Sequence, residues 1–206
     1  MSRPGIPAPA PGQWLIASAN PHKARELREI VAPLGLDVQT LADLNLDGQV
    51  EEDQETLEGN ALKKARYWHD RTGWPVLADD TGLEVEALGG APGVYSARYA
   101  GEEADDWKNV SKLLRELEGE TNRAARFRTV IARVNESGEQ TYEGICSGHI
   151  LYQRVGEGGF GYDPVFCPEG EERSFAELMP EEKNRISHRG RALQALRNNL
   201  ADDPSS

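Results

Sequence analysis

Ser18-Ala19-Asn20-Pro21-His22-Lys23 gathers hydroxyl, amide, imidazole and ammonium groups where a buried strand runs into a helix N-terminus. The free N–H groups and positive dipole end of such a terminus favour an anion. The plainer role is a capped helix with a surface lysine. GxxxxGKS/T occurs nowhere, so the P-loop machinery of common ATPases and GTPases is absent. Further along, Ala78-Asp79-Asp80-Thr81-Gly82 puts two carboxylates at the expected end of a buried strand, where open α/β sheets place ligands. Neighbouring strand residues point to opposite faces, so at most one carboxylate enters a cleft unless the backbone turns. Asp80 and Thr81, beside Gly82, are expected to be the more exposed. Paired carboxylates there suit magnesium, and a turn or helix cap is the competing role. The acidic run Glu51-Glu52-Asp53 offers a third oxygen ligand or merely a solvated surface.

Gly158-Gly159-Phe160-Gly161-Tyr162-Asp163-Pro164 surrounds an aromatic residue with three glycines. That composition leaves room for a flat ring to stack on Phe160, an interaction of roughly 1–3 kcal/mol per base. Asp163 would accept hydrogen bonds from a base or orient another group. A tight aromatic turn explains the segment equally well. Lys183, Ser187, His188 and Arg189 collect donors around the start of the last expected helix.

The elements that position these residues follow from hydropathic period. Trp14-Leu15-Ile16-Ala17 is an apolar run of strand length. Asn20 as N-cap and Pro21 at the first position open a helix with Ala24, Leu27, Val31 and Leu34 on one face, ended by Gly35. A strand is expected near Leu36 to Gln39, a helix with Leu57, Ala61, Ala65 and Trp68 on one face, and a short strand at Val76-Leu77-Ala78. Gly82, Gly89, Gly90, Pro92 and Gly93 punctuate a loop-rich stretch, and Trp107, Val110, Leu114 and Leu117 mark a helix. Phe127 to Val134 and Gln140 to Tyr152 form antiparallel strands about Asn135-Glu136-Ser137-Gly138. Pro180 starts a short helix, and Ser187 caps a last one bearing Ala192, Leu193, Leu196 and Leu200. This order predicts an α/β protein with a mixed sheet. The Pro/Gly-rich residues 1–12 and the end 201–206 are expected to be disordered tails flanking one domain over 13–200.

With 206 residues and 38% hydrophobic content the chain can bury a real core. A net charge of −12 and no Lys/Arg-rich run argue against nucleic-acid binding. They also imply that a polyanionic substrate would need local cations or a divalent metal. No apolar run approaches the roughly 18 residues of a membrane helix, and no secretory signal pattern opens the chain. The pair Cys146 and Cys167 makes neither a disulfide framework nor a zinc motif, so a reducing cytoplasmic setting is expected.

Four segments in order, SANPHK, ADDTGLEVEALGGAPGVYSARYAG, GGFGYDPVF and EEKNRISHRGRAL, resemble the inosine/xanthosine triphosphate pyrophosphatase family over Leu15 to Leu196. The resemblance implies an elongated mixed sheet with flanking helices, two lobes around a central cleft, and a homodimer. The implied activity is magnesium-dependent hydrolysis of ITP, dITP or XTP to the monophosphate and pyrophosphate. On that resemblance Ser18 to Lys23 bind the triphosphate, and Asp80 is the general base at the metal with Asp79 beside it. Glu52, or Glu51 if the register slips, completes the metal ligands. Thr81 takes a substrate position usually held by Ser. Phe160, Gly161, Tyr162 and Asp163 bind the base, and Lys183, His188 and Arg189 supply the remaining substrate contacts. Ala19 and Thr81 are mild substitutions, Gly59-Asn60-Ala61 replaces the family's common Glu-Asn-Ala, and Leu57 stands where Phe is frequent. A pyrophosphatase for other modified nucleotides, or a catalytically silent nucleotide-binding regulator, would share the same cleft.

Overall fold

The computed structural model describes residues 6–18, 20–32 and 35–202. Ala19, assigned above to the phosphate loop, and Leu34, assigned to the first helix, lie outside the described residues, as do the outermost residues of both expected tails. The described chain is a mixed α/β protein. Its sheet is seven-stranded, in the order β2-β1-β3-β5-β6-β7, with β4 paired to β3. The strands are β1 (Gln13–Ile16), β2 (Asp37–Thr40), β3 (Val76–Val85), β4 (Pro92–Gly93), β5 (Ala124–Asn135), β6 (Gly138–Ile150) and β7 (Phe166–Pro168). The helices are α1 (Pro21–Val31), α2 (Leu57–Thr72), α3 (Asp106–Glu116), α4 (Pro180–Ile186) and α5 (His188–Asp202).

The chain divides into two compact units. One holds the described residues up to Asp80, Thr129–Gly144 and those from Arg189 onward; the other holds Thr81–Arg128 and Ile145–His188. In the first, β1 pairs in parallel with β2 (Trp14 opposite Val38) and with β3 (Ile16 opposite Leu77). The intervening α1 and α2 are crossover helices, as parallel pairing requires. Ile16, Leu27, Val31, Leu77, Ile131, Leu193 and Leu196 form its buried core. Ahead of β1, Pro7 O accepts a hydrogen bond from Trp74 Nε1 at 2.8 Å. The second unit packs Leu83, Val85, Val110, Leu113, Phe127, Phe166 and Phe175 into its own core.

The local chemistry expected of the helix ends is present. Asn20 Oδ1 accepts from the N–H groups of His22 (2.9 Å) and Lys23 (3.2 Å). Thr56 Oγ1 accepts from Gly59 N at the start of α2, and Gly73 ends that helix at φ 74°. Ser187 donates its N–H to Lys183 O, closing α4 one residue before α5 begins.

One strand is longer than its apolar run. The expectation of a short strand at Val76 to Ala78 gives way to β3 reaching Val85, so Asp79 and Asp80 lie mid-strand rather than at its end. The stretch reading as glycine-punctuated loop supplies the partner: Leu83 and Glu84 pair antiparallel with Gly93 and Pro92 of β4. Backbone pairing overrides the polar sequence there. Gly82 makes the close approach feasible, since a Cβ at that position would lie 2.6 Å from Gly93 O. Gly82→Ala is therefore expected to cost ~1–3 kcal/mol, as overpacking usually does. Urea unfolding reads this directly; an unchanged midpoint and slope would mean that β4 spreads freely.

Candidate active site

In the first unit, α1 and α5 bring two cations to one carboxylate. Lys23 Nζ lies 3.7 Å from Asp79 Oδ2. Arg189, in the first turn of α5, donates to the same oxygen from Nε (3.4 Å) and Nη2 (3.3 Å), and its Nη1 pairs with Glu26. Asp79 and Arg189 are only 2% and 1% exposed, so neither charge could be carried there alone. Burial by itself would raise the Asp79 pKa. The attraction of Lys23, Arg189 and Lys64 outweighs it and holds the carboxyl well below the usual range.

Asp80 faces the other side of β3, as strand alternation demands, and contrary to the expected exposure beside Gly82 it is buried, because the strand continues past it. Its Oδ2 accepts from Asn60 Nδ2 at 3.0 Å, and its Oδ1 lies 3.7 Å from Lys64 Nζ. The Lys64 ammonium also donates to Asp79 O at 2.6 Å and pairs with Glu52. Here burial prevails over the attraction of Lys64 and Lys23 and, with Glu52 nearby, keeps the Asp80 pKa above its ordinary value. At Glu52 burial is outweighed by Lys64 and Lys23, and the pKa falls. Two neighbouring carboxylates of β3 are thus pushed in opposite directions, the pattern that separates an ionised anchor from a proton acceptor. Asp80 is the better placed to take a proton.

Among the described residues no group of three or more His, Cys, Asp or Glu side chains gathers as a metal site. Glu52 and Asp80 nevertheless share one cation, Lys64, and a pair of carboxylates completed by water and phosphate oxygens is a donor set that suits magnesium. Glu51 is exposed. Ser18 Oγ contacts Asn20 O at 3.4 Å, and Ser18 and Pro21 also border a cavity of ≈ 500 Å³ with Thr40, Leu41 and Gln49. Pro21 and His22 are exposed, and Thr81 is half-buried.

The second unit holds the glycine-rich segment. Asp163 Oδ2 accepts from Phe160 N (2.9 Å) and from Lys183 Nζ (2.8 Å). Lys183 Nζ also sits 5.0 Å from the Phe160 ring centroid and 5.7 Å from that of Phe175. The expectation that three glycines clear space for an incoming ring needs correction. A Cβ at Gly159 would lie 2.2 Å from Asp163 Oδ2, and one at Gly158 2.7 Å from Ala176 O. Those two positions make room for the protein's own atoms, and only Gly161 has open space beside it. Tyr162 is buried, donating from its hydroxyl to Ser96 O at 2.8 Å. The His188 imidazole stacks on Phe127, with centroids 4.5 Å apart and planes at 20°.

The expected residues thus fall into two groups. Lys23, Asp79 and Arg189 are joined directly, with Glu52 and Asp80 joined through Lys64; Phe160, Asp163 and Lys183 are joined in the second unit. Lys64, Asn60 and Glu26 join the expected residues. Asn60 carries a readable signal, a polar side chain on the apolar face that Leu57, Ala61 and Ala65 define, and Lys64 follows it at i+4.

An α/β protein whose strand carboxylates are bound by lysines and an arginine is equipped to handle a polyanion. The chain belongs to the Ham1 family, whose sequence profile matches residues 14–199. It is 47% identical over 182 residues to the dITP/XTP pyrophosphatase of Christiangramia forsetii, covering 88% of this chain and 95% of that protein. It superposes on the Staphylococcus aureus Ham1 protein with a TM-score of 0.83 at 39% identity, covering 92% of this chain and 98% of that one. On the Mycobacterium abscessus nucleoside-triphosphatase / dITP/XTP pyrophosphatase the TM-score is 0.71 at 43% identity, covering 89% and 97%.

Removing Asp79 leaves Arg189 buried with the loss of one of its carboxylates. Asp79→Ala is expected to lose ~3–5 kcal/mol of unfolding free energy, the usual cost of breaking a buried ion pair from one side. Chemical denaturation checks it, and a loss below about 1 kcal/mol, the exposed-pair range, would show that the cluster is solvated.

Proposed function

We propose that the chain hydrolyses non-standard purine nucleoside triphosphates, dITP, ITP and XTP, to the monophosphate and pyrophosphate. The observation that carries this reading is the divergent pair on β3. Asp79 is locked ionised between Lys23 and Arg189, while Asp80 beside it is biased toward accepting a proton. The names of the relatives above supply the substrate class.

In this reading Asp80 takes a proton from the attacking water as its oxygen bonds to the α-phosphorus and the bond to the bridging oxygen of pyrophosphate breaks. Lys23 and the N–H groups at the start of α1 stabilise the charge that gathers on the leaving pyrophosphate. Lys64 holds Asp80 and Glu52 in register. Glu52 and Asp80 would hold magnesium, which supplies neutralising charge for the phosphate oxygens. Asp79 acts at one remove, by fixing Lys23 and Arg189.

Phe160 stacks on the base, and His188 and Lys183 offer donors to the 6-oxo group of hypoxanthine or xanthine. Adenine presents a 6-amino donor there and would leave those groups unpaired, the kind of mismatch that yields large discrimination. We further propose a homodimer in a reducing cytoplasm, a setting in which the buried free thiols of Cys146 and Cys167 persist. No described helix is long and apolar enough to cross a membrane.

Pyrophosphate release from ITP, XTP, dITP, ATP and GTP, with and without magnesium, tests the assignment. Magnesium-dependent turnover of ITP, XTP and dITP well above both ATP and GTP is the expected result. Tight ITP binding without pyrophosphate release would favour a silent regulator. Asp80→Asn is expected to lose about 10²–10⁴-fold in kcat, the usual contribution of a general base; near wild-type turnover would reject Asp80 in that role.

A further inference from the structure

Phe160 is flanked by two residues that do little to hold it. Gly159 and Gly161 sit at φ 72° and φ 60°, and glycine on both sides leaves the intervening peptide planes free to turn. The direction of the ring is therefore fixed by the Lys183 ammonium over its face and by what binds those peptides, including the Asp163 N–H that donates to Phe160 O at 3.2 Å. On the N-terminal side the Phe160 N–H is taken by Asp163. On the C-terminal side the Gly161 N–H is taken from outside the segment, by Asp106 Oδ2 at 2.7 Å.

Asp106 opens α3, and the next residue, Trp107, reaches the earlier end of the same loop. The Arg154 guanidinium lies 3.7 Å from the Trp107 ring centroid, and Arg154 Nη2 donates to Trp107 O at 3.3 Å. This stack accounts for a tryptophan left 64% exposed. Between the two contacts the loop is closed by Val155 N to Pro164 O (2.8 Å) and Gly158 N to Ala176 O (3.1 Å). The helix that carries Asp106 is itself fixed. Val110 and Leu113 are fully buried, and Asn109 bonds Ala97 O (2.8 Å) and Ala100 N (2.7 Å).

We propose that Asp106 is a positioning residue for the base site, holding the Gly161 peptide so that the Phe160 ring keeps one orientation, with the Trp107–Arg154 stack steadying the loop behind it. The inference rests on the reading that Phe160 meets the base. It predicts an effect on nucleotide affinity rather than on the chemical step, because Asp106 acts through the Gly161 peptide of the loop that carries Phe160.

The test compares wild type, Asp106→Ala, Asp106→Asn, Phe160→Ala and the Asp106→Ala/Phe160→Ala double variant. KM and kcat are measured for ITP, and exchange of the Gly161 amide is followed by NMR. Asp106→Ala is expected to raise KM roughly five- to tenfold, the size of a typical net hydrogen bond. Its kcat should stay within about twofold, and Gly161 exchange should quicken. Asp106→Asn keeps an acceptor oxygen and should restore both readings. In the Phe160→Ala background the loss of Asp106 should add nothing to KM. The proposal is overturned if Asp106→Ala leaves KM and Gly161 exchange unchanged, if kcat and KM worsen together with a lower Tm, or if Asp106→Asn behaves like Ala. Additive effects in the double variant would also overturn it. Absence of ITP turnover in the wild type would instead sink the functional reading, and Gly161 exchange would still decide whether Asp106 holds the loop.

Discussion

The first unit depends on one buried negative charge. Asp79 is almost sealed from water, and a lone carboxylate there would protonate or unfold its surroundings. What makes it tolerable is that α1 and α5, far apart in sequence, each deliver a cation to the same oxygen. The ion pair therefore fixes where both helices begin relative to β3. Glu26, three residues along α1 from Lys23, takes the remaining face of Arg189, so the guanidinium has two anions and little rotational freedom.

The same geometry explains how neighbouring carboxylates acquire different characters without different sequence contexts. Strand pleating sends Asp79 toward α1 and α5, and Asp80 toward α2. Asp79 meets an excess of positive charge; Asp80 meets one lysine that it shares with Glu52, plus a neutral amide. Lys64 makes the sharing possible because its stem is buried along α2 while its ammonium reaches three oxygens.

Much of this was legible in the sequence, and the failures have identifiable causes. Helix boundaries marked by Asn20, Pro21 and Pro180 can be read because caps are local chemistry. The β1-α1-β2 start follows from apolar period and cap residues together, and the structure makes the two strands parallel. The length of β3 could not, because Leu83 and Glu84 pair with β4, a partner eight to ten residues away with no strand propensity of its own, while β3 also pairs with β5. The glycines at 158 and 159 were assigned to a ligand because composition cannot say whose atoms fill the vacated space. Lys64 and Glu26 are not legible in the sequence because a charged residue on an amphipathic helix usually means solvent, and only the fold shows that these two face inward.

The separation of Asp79 from Arg189 in the chain also has a consequence for synthesis. The carboxylate leaves the ribosome 110 residues before the guanidinium that will neutralise it. Until α5 emerges, β3 can pair with β1 only by desolvating a charge that still lacks its arginine. Lys23, made earlier, can already face the carboxylate, so what waits for α5, the last of the described helices, is the second cation that completes the pocket.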